Sequence, residues 1–233
     1  MSSMPPATPV LALQGLRYRW PGQHSDALQL DALQLARGER LFVRGPSGCG
    51  KSTLLALIAG VLLPDAGSVA LLGTPWSTLS AMRRDRFRAD HIGYIFQQFN
   101  LLPYLSVLDN VRLPCRFSPA RAARAPAGSA EQLLERSGLP AALWRRPAAQ
   151  LSVGQQQRVA AARALIGQPE LVVADEPTSA LDEDLREAFM QLLLDCCTQA
   201  GSALVFVSHD SRLAAHFDRH LDLAAVRPRE VAA

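Results

Sequence analysis

A chain of 233 residues with 48% hydrophobic and 19% charged residues, and a mean hydropathy of +0.06, is a folded globular protein. It is too short for a string of independent domains and too apolar to be disordered. The formal charge is only +3, and the arginines are scattered rather than blocked into a tract, so nucleic acid is not expected as a partner.

Residues 1–9 are Pro-rich and read as a disordered tail, with neither the positive segment nor the apolar stretch of an export signal. Residues 10–14 and 28–35 alternate Leu with polar residues, the period of strands with one buried face, and predict an antiparallel β-layer at the front. Residues 40–44 (RLFVR) form a short apolar strand, followed by a glycine-rich segment and an apolar helix from Lys51 to about Ala59. The longest apolar run, residues 54–63, falls short of the roughly 18–20 residues that cross a bilayer. Further strands are expected at 67–72 and 92–96. The stretch 106–150, rich in Ala, Arg, Leu and Pro, reads as helices joined by loops, part of an insertion over about 98–150.

A helix over 152–166 and strands over 171–174 (LVVA) and 203–207 (ALVFV) come next. Continuous apolar runs without alternation suit strands buried on both faces of a parallel sheet. The expected organisation is one α/β domain over 10–226. It has a mainly parallel sheet, the antiparallel β-layer, the helical insertion and a short tail at 227–233. Cys49, Cys115, Cys196 and Cys197 lack metal-ligand spacing and read as reduced thiols, which together with the absent export signal points to the cytoplasm.

The glycine-rich segment is Gly45-Pro46-Ser47-Gly48-Cys49-Gly50-Lys51-Ser52, which fits GxxxxGK[ST] between a predicted strand and helix. Glycines let successive N–H groups converge on phosphate oxygens, and the helix that follows turns its positive end to the same anion. Lys51 is the only lysine among 24 Lys and Arg residues. Its compact ammonium would reach the β- and γ-phosphates, and Ser52 would place a hydroxyl on Mg²⁺. Cys49, a thiol at a helix N-terminus in an electropositive loop, is expected to have a lowered pKa and to be shielded from alkylation by ATP.

Asp175 and Glu176 end the strand 171–174 at the edge where parallel α/β sheets hold their ligands. Asp175 is placed to hold Mg²⁺ through its water shell, and Glu176, pointing the other way, to orient the attacking water as general base. His209 follows a third core strand at the same edge. Ser152 and Gln155, three residues apart, predict a capping box at the start of the next helix.

Taken with GQQQRVAAARAL and DEPTSALD downstream, these segments resemble the ATP-binding subunit of ABC transporters over about residues 10–223. The resemblance implies that GPSGCGKS, with Thr53 after it, is the Walker A loop and LVVADE is Walker B. It makes LSVGQ the signature, with Ser152, Gly154 and Gln155 contacting nucleotide, and Asp182 the D-loop aspartate. Gln97 becomes the Q-loop glutamine, which touches the metal and the reacting phosphate, and His209 the switch histidine. Trp20 is the aromatic that stacks on adenine, with Tyr18 as the alternative. Two chains would form a head-to-tail dimer in which Walker A of one faces the signature of the other. ATP and Mg²⁺ are the implied cofactors, and polytopic permease subunits the implied partners. The chain would sit on the cytoplasmic face of the cell membrane.

The pattern departs from LSGGQ at Val153, a residue that disfavours positive φ; no left-handed backbone is expected there. Phe99, Leu101, Leu102, Tyr104 and Leu105 are either an apolar docking patch for the permease or ordinary packing within the insertion. IGYIFQQFNLLP looks like the branch that serves lipoprotein release, macrolide export and related extrusion. The competing reading is a soluble ATPase clamp in DNA repair or translation, which usually carries a long coiled-coil insertion or two ATPase units.

Overall fold

The computed structural model describes residues 8–179, 181 and 183–226. The tails expected at 1–9 and 227–233 therefore lie outside the described residues, but for Thr8 and Pro9, as does Asp182.

Chain order runs β1 (Leu11–Tyr18), β2 (Leu28–Leu35), β3 (Arg40–Arg44), α1 (Lys51–Ile58), β4 (Ala66–Leu71) and β5 (Thr74–Pro75). Next come α2 (Ala81–His91), β6 (Ile92–Ile95), α3 (Val107–Phe117), α4 (Pro119–Ala123), α5 (Ser129–Arg136) and α6 (Val153–Leu165). The chain closes through β7 (Leu171–Asp175), α7 (Glu183–Ala200), β8 (Ala203–Val207), β9 (Arg219–Asp222) and α8 (Leu223–Val226).

Two sheets result. The expected front layer is a four-stranded antiparallel sheet in the order β2-β1-β4-β5, and its alternating leucines, Leu11 and Leu13 on β1 and Leu33 and Leu35 on β2, all face inward. The second sheet is parallel throughout, in the order β6-β7-β8-β3-β9. Its central strands have no exposed residue from Leu171 to Ala174 or from Ala203 to Val207, as continuous apolar runs require.

One core cluster lies between the two sheets and includes α1 and Trp76, whose indole N–H donates to the Ile58 carbonyl at 3.1 Å. A second covers the opposite face of the parallel sheet under α6 and α7, with Phe42, Phe206 and Phe217 in mutual ring contact at 5.2–6.4 Å. Each such phenyl ring contributes about 1.5–3 kcal/mol by leaving water. A third fills the helical block of α3, α5 and α6.

Register fixes what the sheet can do. Val43 pairs with Val207, Val207 with Asp175, and Ala174 with Ile95, so four parallel strands end within about one residue of each other. The loops that leave these strands begin with Gly45, Glu176, Ser208 and Phe96, all at one edge.

α2, β5, α7, β9 and α8 escaped sequence reading, and two of them show why. α2 (AMRRDRFRADH) buries no residue, so it has no apolar stripe to announce it. β9 (RHLD) is a polar edge strand recognisable only from its pairing with β3.

Candidate active site

An open cleft of about 1010 Å³ lies at this sheet edge. The glycine loop contributes Ser47, Gly48, Gly50 and Lys51, and the first turn of α1 contributes Ser52 and Thr53. Gln97, Glu176 and His209 reach it from the ends of β6, β7 and β8, and Trp20 closes one side. Sequence reasoning thus named most of the lining. It missed Gln23, Ser25, Asp26 and Ala27 in the β1–β2 connection. The only signal there was a polar run directly after Trp20, and Asp26 is tied back to Arg19 by hydrogen bonds of 2.9 and 3.1 Å.

The loop is built around close approaches. Gly50 caps α1 with φ of 98°, and a Cβ there would stand 2.9 Å from the Ala27 carbonyl, so only glycine fits. Gly45 and Pro46 do not line the cleft; their carbonyls accept from Lys51 Nζ at 2.9 and 3.1 Å, which threads the buried ammonium back across the loop.

Cys49 departs from expectation. It is 3% exposed and belongs to the core beneath the loop, where a Cβ at position 45 would come 2.5 Å from its Sγ. The thiol is a packing group under Gly45 and is not presented to the cleft; only the backbone of Cys49 remains available to a phosphate.

Glu176 is left-handed, with φ of 46°, and its N–H donates to the Val207 carbonyl at 3.0 Å. Such backbone costs about 1–3 kcal/mol for a side chain of this type and persists only where the surroundings enforce it. The turn swings the Glu176 carboxylate away from β7, so that Oε1 lies 2.6 Å from His209 Nε2 and 4.0 Å from Lys51 Nζ. Asp175 stays half-buried at the strand end. Burial above all, with the Glu176 charge second, holds its carboxyl above the usual range, and Lys51 opposes the shift. Burial and the Asp175 charge likewise push the Tyr94 hydroxyl up.

Trp20 is 41% exposed, whereas Tyr18 is buried and meets it edge-on at 5.2 Å. Of the two candidate stacking rings, only Trp20 faces the cleft.

At the other end of the helical block, Ser152 caps α6, with both arms of the capping box formed: Ser152 N–H to Gln155 Oε1 at 3.0 Å and Gln155 N–H to Ser152 Oγ at 3.4 Å. Val153 begins the helix and is 50% exposed; neither it nor Gly154 has positive φ, so the departure from LSGGQ carries no strain. Ser152, Gly154 and Gln155 do not line the cleft.

The apolar stretch after Gln97 divides. Phe99 is buried, Leu101 packs against two core clusters, and Leu102 and Leu105 are half-buried. Packing accounts for these, and only Tyr104, at 74%, is widely exposed.

A glycine loop, a lysine, an acid pair and a histidine converging at the carboxyl edge of a parallel sheet define a P-loop ATPase. The profile of the family described as ABC transporter matches residues 28–179. The chain is 44% identical over 191 residues to the uncharacterized ABC transporter ATP-binding protein YbbA of Escherichia coli K12, covering 82% of this chain and 83% of that one. It is also 44% identical over 191 residues to the lipoprotein-releasing system ATP-binding protein LolD of Shewanella sp. MR-4, with 82% of each covered. Among solved structures, the ATP-binding cassette MJ0796, a dimer in a post-hydrolysis state bound to ADP and Pi, superposes with a TM-score of 0.79 at 35% identity, covering 91% of this chain and 93% of that one. The chain belongs to the ABC transporter family and is its ATP-binding, ATP-hydrolysing subunit. A soluble clamp finds no support among these relatives.

Proposed function

We propose that two copies of the chain close head to tail around two Mg²⁺-ATP molecules, each held between the glycine loop of one copy and the Ser152–Gly154 segment of the other. The observation that carries this reading is the placement of α6. Its N-terminus is capped, with Ser152 and Val153 exposed, and it presents the positive end of its dipole at the surface while contributing nothing to the chain's own cleft. An anion-binding surface of that kind is completed by a second molecule. MJ0796 is dimeric in its solved structures, one of them bound to ADP and Pi, in keeping with this reading.

Within each site, Lys51 and the loop N–H groups bind the phosphates, Trp20 carries the base, and Glu176, oriented by His209, takes the proton of the attacking water. Mg²⁺ would be held by Ser52, Gln97 and Asp175. This all-oxygen set suits a hard cation: Ser52 and Gln97 would bind it directly, Asp175 through its water shell, and phosphates and water would complete the coordination. When bound, the ion neutralises charge on the phosphates. Asp182 is proposed as a contact across the dimer.

Residues 10–226 are read as a single ATPase domain with a helical insertion over 98–150. Among the described residues no helix is long and apolar enough to cross a membrane. We read the chain as docking on the cytoplasmic face of polytopic membrane subunits that extrude or release cargo, as the names of its relatives suggest; cbiO1 of Clostridium perfringens, at 26% identity and a TM-score of 0.79 over 92% of this chain and 84% of that one, is part of a transporter complex. Gly154 tolerates a side chain sterically, because a Cβ there meets only Leu185 Cδ1 at 3.6 Å. Mixing inactive Lys51→Ala with inactive Gly154→Asp protein should therefore restore hydrolysis through heterodimers that contain one intact composite site. A mixture as inactive as its components would contradict the arrangement.

A further inference from the structure

Phe99 and Asn100 are two consecutive non-glycine residues in left-handed backbone, with φ of 59° and 48°. Asparagine tolerates that region, but a bulky phenylalanine is an outlier in it. The pair forms the exit of the turn that carries Gln97: the Phe99 N–H donates to the Phe96 carbonyl at 2.9 Å, with Gln97 and Gln98 at the turn's tip. The Asn100 N–H donates back to Gln98 at 2.6 Å.

Both carbonyls of the pair are taken by one side chain. Arg163, in the last turns of α6, donates from one guanidinium nitrogen to Asn100 O at 2.6 Å and from the other to Phe99 O. Arg163 is itself buried, and burial lowers its pKa to about 10. A buried cation is expensive where an apolar side chain of similar length would pack without that cost, so its location calls for a role beyond filling space. The same helix also reaches the other side of the cleft, where the Gln157 side-chain amide donates to the Pro177 carbonyl, next to Glu176.

We infer that Arg163 is a positioning residue for Gln97: it holds the left-handed turn behind the glutamine in place and ties it to α6. Arg163 lies 11 residues from Ser152, about 16 Å along the helix. The helix whose N-terminus meets the second chain's nucleotide is thereby joined rigidly to the turn that aims Gln97 into the chain's own cleft. This rests on the proposed role of Gln97.

The test compares Arg163→Met, Asn100→Gly, the double variant and Gln97→Ala in steady-state ATP hydrolysis, with thermal melting to establish folding. Arg163→Met should lower kcat about tenfold or more through misplacement of Gln97. KM for ATP should stay within about threefold, since Lys51 and Trp20 are untouched. Glycine holds positive φ without assistance, so Asn100→Gly alone should keep kcat within about threefold, and added to Arg163→Met it should recover about threefold or more. If Arg163→Met does not fold, Arg163→Lys, which reaches one carbonyl at a time, serves with the same rescue. Wild-type kcat in the Arg163 variant, or a loss that Asn100→Gly leaves unchanged, overturns the inference. Wild-type kcat in Gln97→Ala overturns the role of Gln97 itself, so the two failures are told apart.

Discussion

His209 Nε2 lies 2.6 Å from Glu176 Oε1, a charge-pair contact across the sheet edge between the residue that follows Ser208 and the one that follows β7. The contact exists because Glu176 is left-handed; an extended residue after Asp175 would carry its carboxylate elsewhere. His209→Ala should therefore lower kcat about a hundredfold, the range for loss of a positioned proton-transfer partner, with little change in KM for ATP. Steady-state kinetics check this.

Lys51 is buried and bonded to Gly45 O and Pro46 O, a channel cut for a compact ammonium. A planar, forked guanidinium is a poor substitute there. Lys51→Arg should keep the charge yet lose about a hundredfold or more in hydrolysis, as expected when a donor to transition-state charge is displaced. Single-turnover measurement at saturating ATP distinguishes this loss from weakened binding.

Cys49 lies in the core, so ATP should not alter its reactivity. Of the four thiols, Cys49, Cys196 and Cys197 are buried and Cys115 is half-exposed. Burial also raises the pKa of Cys115 and Cys196, and brings Cys197 to about 12. A thiol reagent followed by peptide mass analysis should label Cys115 first, slowly, and leave Cys49 unlabelled with or without nucleotide until the protein unfolds.

Asp175 gives a pH-dependent prediction. Its folded-state pKa is raised above the unfolded value, so the nucleotide-free protein loses stability as pH rises through that pKa and is spared the penalty below the unfolded one. Asp175→Asn should raise the melting temperature of the nucleotide-free protein by about a few degrees at neutral pH, and the gain should vanish in acid. It should also abolish Mg²⁺-dependent hydrolysis. Calorimetry across pH, paired with an activity assay, tests both halves.

The glycine loop, the acid pair and the capping box were legible because their chemistry requires fixed residue types at fixed spacing. The central strands of the parallel sheet were legible because burial on both faces leaves uninterrupted apolar runs. Arg121 shows where that legibility ends. It is nearly wholly buried, with its guanidinium donating to Ile92 O at 3.2 Å and to the Ala164 and Ile166 carbonyls, and it pins α4 to the end of α6. In the sequence it is one arginine among many. Arg163 was hidden in the same way, because which carbonyls lack a partner depends on the assembled fold. The left-handed backbone of Glu176 and the burial of Cys49 are likewise set by packing around a loop, which periodicity does not encode.

The central claim is that ATP joins two chains through composite sites and that Glu176 ends that state by hydrolysis. Sedimentation of Glu176→Gln with and without Mg²⁺-ATP tests it most directly, since the variant should keep the nucleotide while losing the base. A monomer without nucleotide that becomes a stable dimer with Mg²⁺-ATP, and hydrolyses it about a hundredfold or more slowly than the wild type, is the predicted result. A variant that stays monomeric at saturating Mg²⁺-ATP, or that turns over at the wild-type rate, would contradict the claim.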